Sequence, residues 1–225
     1  MNSWCMPKPG ARFVAKMEDV LSVYERPYDP KQPMVCLDEI QKALRSTPRG
    51  EIPLEIGKPI REDYEYQRHG KCSLFLAVEP LAGFRKTWIY PQRRKIEFAE
   101  VLKSLVDEVY PDADKIVLVL DNLNIHHIAS LYERYEPAEA RRIADKLEWH
   151  YTPEHGSWLN IAECELSVLR RQALKRRKVD IAEVRTQVTA WETERNERQV
   201  GIDWQFSCAD ARIKLKRLYP IVKVQ

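Results

Sequence analysis

Apolar positions along the chain follow two periods. Ile116 to Leu120 are five consecutive apolar residues ending at Asp121, a pattern that predicts a buried strand. Residues 34–39 (MVCLDE) make a shorter apolar run that also ends in acid. CSLFLAVEP and FRKTWIY, separated by Leu81-Ala82-Gly83, predict two strands of a meander, and residues 147–152 (LEWHYT) a fifth strand. Helical spacing takes over at residues 96–109, where Ile96, Ala99, Val101, Leu102, Leu105, Val106 and Val109 form a stripe. It recurs at 127–146 (broken at Pro137), 158–177, 180–198 and 209–218, with a shorter helix at 12–24. Ser157 is the expected N-cap of the 158–177 helix. Residues 41–70 hold Pro48, Pro53 and Pro59 and predict an irregular excursion. Together these elements define an α/β fold, a mixed sheet of about five strands flanked by helices. The first three strands form an antiparallel meander and the last two are joined through helices.

Composition narrows the class. The 225 residues are 44% hydrophobic and 32% charged, ordinary for a globular chain long enough to bury a sizeable core. No apolar stretch is long enough to span a bilayer, and no basic start leads into an apolar run, so membrane and secreted classes are disfavoured and a cytoplasmic setting is expected. The five cysteines are scattered without a CxxC pair, which argues against a disulfide framework or structural zinc. Net charge is only +3, but basic residues cluster in PQRRK (residues 91–95) and RRQALKRRK (residues 170–178). Such runs are either solvated helix faces or tracks for a phosphate backbone.

The candidate chemistry lies in carboxylates. Asp38 and Asp121 each end an apolar strand, where α/β sheets place ligand-binding groups. Two such acids side by side call for a cation between them, and Mg²⁺ favours oxygen ligands. On the 158–177 helix, Ala162, Leu166, Leu169 and Ala173 form the sheet-facing stripe. Glu163 lies about 100° from Ala162 and flanks that stripe, whereas Glu165 is about 200° from Glu163 and points elsewhere. Asp38, Asp121 and Glu163 would thus form a site for two metal ions that clamp the attacking and leaving oxygens of a phosphoryl displacement.

Three segments carry a resemblance: LVLDNLNIHH, HYTPEHGSWLNIAECELSVLRRQALKRR and WQFSCADARIKLKRLYP, with VCLDE behind MEDVLSVYERPYDP. They resemble bacterial insertion-sequence DDE transposases of the Tc/mariner superfamily, over nearly the whole chain from about Trp4 to Pro220. The resemblance implies a ribonuclease-H-like fold with Asp38, Asp121 and Glu163 as the catalytic, metal-binding triad. Asp121 and Glu163 are 42 positions apart, longer than in eukaryotic mariner relatives. It implies Mg²⁺ or Mn²⁺, two ions with DNA bound, and cut-and-paste cleavage and strand transfer on double-stranded DNA, both element terminal inverted repeats and target. A homodimer is expected, because two ends are cut and joined together. The expected organisation is an N-terminal extension (1–33), the catalytic domain (34–178) and a C-terminal helical extension of the same domain (179–225). Residues 1–33 show no counterpart of the family's helix-turn-helix region, which suggests a separate polypeptide for end recognition.

The same motifs carry further candidates for DNA contact. Asn122 is either a helix-capping residue or a substrate contact. His126 touches a phosphate, orients Asp121 or is an ordinary surface histidine. Trp158 either stacks on an unpaired base or belongs to the core. Ser157 and Asn160 open the Glu163 helix, and Arg170, Arg171, Lys175, Arg176 and Arg177 continue it past the site as a DNA track. Two other readings stay open: a ribonuclease-H-like nuclease that hydrolyses without strand transfer, and a DNA-binding or assembly module that has lost catalysis.

Overall fold

The computed structural model describes residues 10–48 and 64–221. Its centre is a five-stranded sheet: β1 (Met34–Ser46), β2 (Gln67–Glu79), β3 (Phe84–Tyr90), β4 (Ile116–Leu120) and β5 (Leu147–Tyr151). Spatial order is β3-β2-β1-β4-β5. The first three strands pair antiparallel, and β1–β4 and β4–β5 pair parallel. This is the mixed sheet the sequence predicts. All five residues of β4 are buried, as a parallel strand covered on both faces requires.

Alternation along the strands builds two cores. Cys36, Ile40, Leu74, Leu76, Val117 and Val119 face one layer, which holds α1 (Ala11–Tyr24), α5 (Ile161–Gln172), α6 (Ile181–Glu197) and α7 (Cys208–Lys214). Val35, Leu37, Phe75, Leu118 and Leu120 face the other, with α2 (Lys95–Ser104), α3 (Ala129–Arg134) and α4 (Pro137–Asp145). The stripe predicted at 96–109 is helical throughout, but its last turn, Leu105–Val109, widens to a π-helix in which Tyr110 N–H reaches Leu105 O at 2.9 Å. Pro137 ends one helix and opens the next, at the N1 position where its missing N–H costs nothing.

The edge strand β3 is closed by a helix. Asn196 of α6 exchanges two hydrogen bonds of 2.8 Å with the backbone of Arg85, and Glu192 accepts from Thr87 N at 2.7 Å. Side-chain groups thus take the pairing sites an open edge would offer another strand. Beyond α6 the chain passes directly over the β2–β3 turn. A Cβ at Gly83 (φ +65°) would lie 2.5 Å from the Gln199 backbone.

Two expectations are corrected here. The excursion expected over residues 41–70 is strand at both ends: β1 runs on to Ser46 and β2 starts at Gln67, with a register shift between Ala43 and Arg45. Residues 49–63 lie outside the described residues. The helix expected over 158–177 is shorter. It ends at Gln172 because the following chain is drawn onto β1, where Lys42 Nζ donates to the carbonyls of Leu174 (2.6 Å) and Arg176 (3.1 Å) and Arg45 N–H donates to Lys178 O (2.7 Å).

Candidate catalytic site

The β1–β4 register decides how the acids meet. Met34, Val35 and Cys36 lie opposite Val117, Leu118 and Val119. Two residues further, Asp38 comes level with Asp121, and both share the face of Cys36 and Val119, the one that α5 covers. The helix is docked at the same level. Asn160 caps it by accepting from Ala162 N at 3.1 Å, and its Nδ2 donates to Leu37 O at 3.1 Å, tying the first turn to the residue before Asp38. Glu163, one turn in, is half-buried, and its carboxylate has no hydrogen-bond or ion-pair partner among the described residues.

The electrostatics record the proximity. Burial, then the charges of Glu39, Asp121 and Glu163, push the Asp38 carboxyl up to about 7, against the Glu39 N–H it accepts at 2.7 Å. Burial raises Asp121 too, but the hydrogen bond and charge of His126, the Leu123 N–H and Arg93 outweigh it and hold that carboxyl below its ordinary value. Burial opposes a charged His126. Its carboxylate partners Asp121 (2.6 Å at Nδ1) and Glu39 (2.8 Å at Nε2) prevail and push it up to about 9.

Among the described residues no three His, Cys, Asp or Glu side chains are already closed around one point. The triad is a set of facing carboxylates, not a finished cage. Its chemistry nevertheless suits a hard divalent ion: every donor is a carboxyl oxygen, and Asp38 is raised partly by its like-charged neighbours, a repulsion that a cation relieves.

The other predicted residues scatter around this centre. Asn122 is exposed, donating to Thr152 O and accepting from Lys16 Nζ. His126 and Asn160 are 2% and 0% exposed with their polar atoms engaged, so the structure assigns both to the interior and leaves neither reaching a phosphate. Ser157 is not the cap of α5. It opens a separate 3-10 turn, Ser157–Leu159, and Asn160 takes the capping role. Trp158 on that turn is 40% exposed, which removes the core reading and leaves the ring free to stack. Arg170 and Arg171 are exposed on α5, while Lys175 and Arg176 are exposed beyond its end. Arg177 is half-buried, bonded to Thr47 Oγ1 (3.3 Å) and Glu65 O (3.0 Å). The basic run is therefore not one continuous helical track.

Sequence reasoning missed Lys16, Glu39 and Arg93 beside the site, and the ion cluster behind it. There Arg85, fully buried, meets Glu165 Oε2 at 3.2 Å, and Arg195 makes a charge contact with Glu165 Oε1 at 2.5 Å. The signal for Glu39 was present in strand alternation: next to Asp38, it must face the opposite layer.

A five-stranded mixed sheet with acids from two adjacent parallel strands and a flanking helix defines the ribonuclease-H-like class of folds. The family model described as DDE superfamily endonuclease matches residues 33–184, and the chain belongs to that family. Among solved structures, it is similar to the Mos1 mariner paired-end complex with Mn (15% identity, TM-score 0.54, covering 89% of this chain and 62% of that one). It is similar also to the Mos1 transposase paired-end complex with left transposon end (14%, TM-score 0.55, 89% and 61%). The Mos1 strand transfer complex gives 15% identity and a TM-score of 0.51, covering 89% and 62%. At these identities the likeness is one of fold, and this chain spans about three-fifths of those transposase chains. Comparison with curated proteins gives no match.

Proposed function

We propose that this chain is the catalytic domain of a DDE transposase, which cleaves DNA strands and joins them to new sites in a metal-dependent reaction. The observation that carries this reading is the register that sets Asp38 level with Asp121 under a helix presenting Glu163, within a chain of the DDE endonuclease family. Asp38, Asp121 and Glu163 would hold Mg²⁺ or Mn²⁺, two ions with DNA bound, which supply activation of a water or 3′-hydroxyl and stabilisation of the departing oxygen. The solved relative that contains Mn is consistent with this choice. The chain's own residues bind and orient. Arg170, Arg171, Lys175 and Arg176 offer cations to backbone phosphates, and Trp158 offers an aromatic face to an unpaired base.

Double-stranded DNA is the proposed partner, both element ends and target. A homodimer in the active complex belongs to the same proposal. Residues 34–178 form the catalytic unit and 179–225 its helical extension. The test is nicking and strand transfer on labelled DNA carrying the element's terminal repeats, with Mg²⁺ or Mn²⁺ against EDTA. Joining that needs metal and is lost in Asp121→Ala supports a transposase. Nicking without joining would assign the hydrolytic nuclease, and salt-sensitive binding without cleavage a DNA-binding module.

A further inference from the structure

The PQRRK run is not a uniform basic patch. Arg94 is engaged by Glu97 in the first turn of α2, and Lys95 pairs with Glu133 at 2.5 Å. Arg93 instead turns inward and donates to Glu39 Oε1 at 3.0 Å. The Glu39 side chain is 3% exposed, and its other oxygen meets His126 Nε2 at 2.8 Å. His126 is packed against Phe98, ring centroids 4.7 Å apart, and its Nδ1 meets Asp121 Oδ1 at 2.6 Å. Leu123 N–H donates to that same Asp121 oxygen at 3.0 Å.

Four charged groups thus run in line from the surface to the triad. Packing alone does not call for them, since an apolar side chain against Phe98 would fill the space of a buried imidazole without stripping water from a polar ring. The arrangement acts at one place, Asp121. It occupies Oδ1 and fixes the rotation of the carboxylate, leaving Oδ2 without a partner among the described residues. Adjacent residues inside β1 serve both purposes, in place of the strand end expected for Asp38: Asp38 faces Asp121 and Glu163, and Glu39 faces the opposite layer.

We infer that Glu39 and His126 are positioning residues for Asp121, forming a relay whose solvent end is Arg93 and which presents one Asp121 oxygen to a divalent metal ion. The inference rests on the metal-dependent reading above. Partners that orient a metal ligand in this way contribute about 10–100-fold to metal affinity.

The test is Mn²⁺ binding to the full chain by isothermal titration calorimetry, with thermal unfolding in EDTA as a check on folding. The variants are chosen for the sign of their effect. His126→Gln and Arg93→Gln each take a cation from beside an acidic site, so a through-space charge effect makes Mn²⁺ bind more tightly. The relay demands the reverse: about 10–100-fold weaker binding in His126→Gln, and a two- to fivefold weakening of about the size of an exposed ion pair in Arg93→Gln. Arg93 is 35% exposed, so its substitution leaves the fold intact and carries the test even if His126→Gln does not fold. Unchanged or tighter binding in Arg93→Gln overturns the relay. Asp121→Asn separates the two ideas: if the unaltered chain shows no Mn²⁺ binding that Asp121→Asn abolishes, the metal-dependent reading itself fails.

Discussion

Glu163 and Glu165 stand two residues apart on α5, and the structure gives them opposite surroundings. Glu165 is 2% exposed between Arg85, which is fully buried, and Arg195. Glu165→Gln keeps the side-chain size and removes the charge, leaving two guanidiniums facing each other, one of them out of reach of water. Removing one member of a buried ion pair costs about 3–5 kcal/mol, because the remaining charge is stranded. For a chain of 225 residues, each kcal/mol is worth about 2–4 °C. The expected fall in Tm is therefore roughly 6–20 °C, accompanied by an earlier midpoint in urea. Adding Arg85→Met recovers part of that loss, since one stranded charge is gone. Glu163→Gln, made in the metal-free chain, changes stability by no more than about 0.5 kcal/mol, because that carboxylate has no partner to lose. Urea denaturation of both variants in EDTA decides the matter. Equal losses in the two, or a loss under about 1 kcal/mol for Glu165→Gln, would refute the division between them.

Three further outcomes follow from the same geometry. Asn160→Ala removes the α5 cap and the bond to Leu37 O and should destabilise by about 1–2 kcal/mol, while Ser157→Ala stays within about 0.5 kcal/mol; a larger loss at Ser157 in urea denaturation would restore it as the cap. Mn²⁺ at a hundred times its Kd should stabilise the chain by about 2.7 kcal/mol, a Tm rise of roughly 5–11 °C that Asp121→Asn abolishes; differential scanning fluorimetry with no shift at any concentration counts against the site. Arg171→Gln and Lys175→Gln should each lower the slope of log affinity for DNA against log salt by about 0.9; an unchanged slope by fluorescence anisotropy would take them off the phosphate track.

The strands were legible because their burial is written in consecutive or alternating apolar residues: β4, all apolar, came out at residues 116–120 inside the predicted run. What hid was anything decided by partners distant in sequence. The second half of β1 sits before a series of prolines and looks irregular, yet Ile40, paired with Leu74, and Leu44, at the register shift, both point into the core. The end of α5 could not be read from helical periodicity, since Lys42, over a hundred residues earlier, captures the carbonyls that would have continued the helix. The cap shifted from Ser157 to Asn160 because a 3-10 turn intervenes and the Asn side chain can serve Ala162 N–H and Leu37 O at once. The wheel sends Glu163 and Glu165 in different directions, but gives no hint that Glu165 is more deeply buried, because its partners come from β3 and α6.

These contacts explain how three facing carboxylates are kept in place. Left alone, mutual repulsion and the loss of solvation would swing the most mobile of them, a glutamate on a helix, out toward water. Here α5 is fixed on both sides of it. Asn160 holds the first turn to β1 at Leu37, and Glu165 holds the next residues to β3 and α6 through Arg85 and Arg195. Glu163 lies between these anchors, so its place on the helix is set by bonds its own carboxylate does not make, while the carboxylate itself stays unpartnered among the described residues. Asp38 is fixed by its strand and the Glu39 N–H, and Asp121 by Leu123 N–H and His126. The two aspartates are therefore held from behind through one oxygen each, and Glu163 through its helix alone. Under the metal-dependent reading, a cation would meet two aspartates already oriented and would have to draw in only the unpartnered Glu163 carboxylate, which limits the ordering its binding must supply.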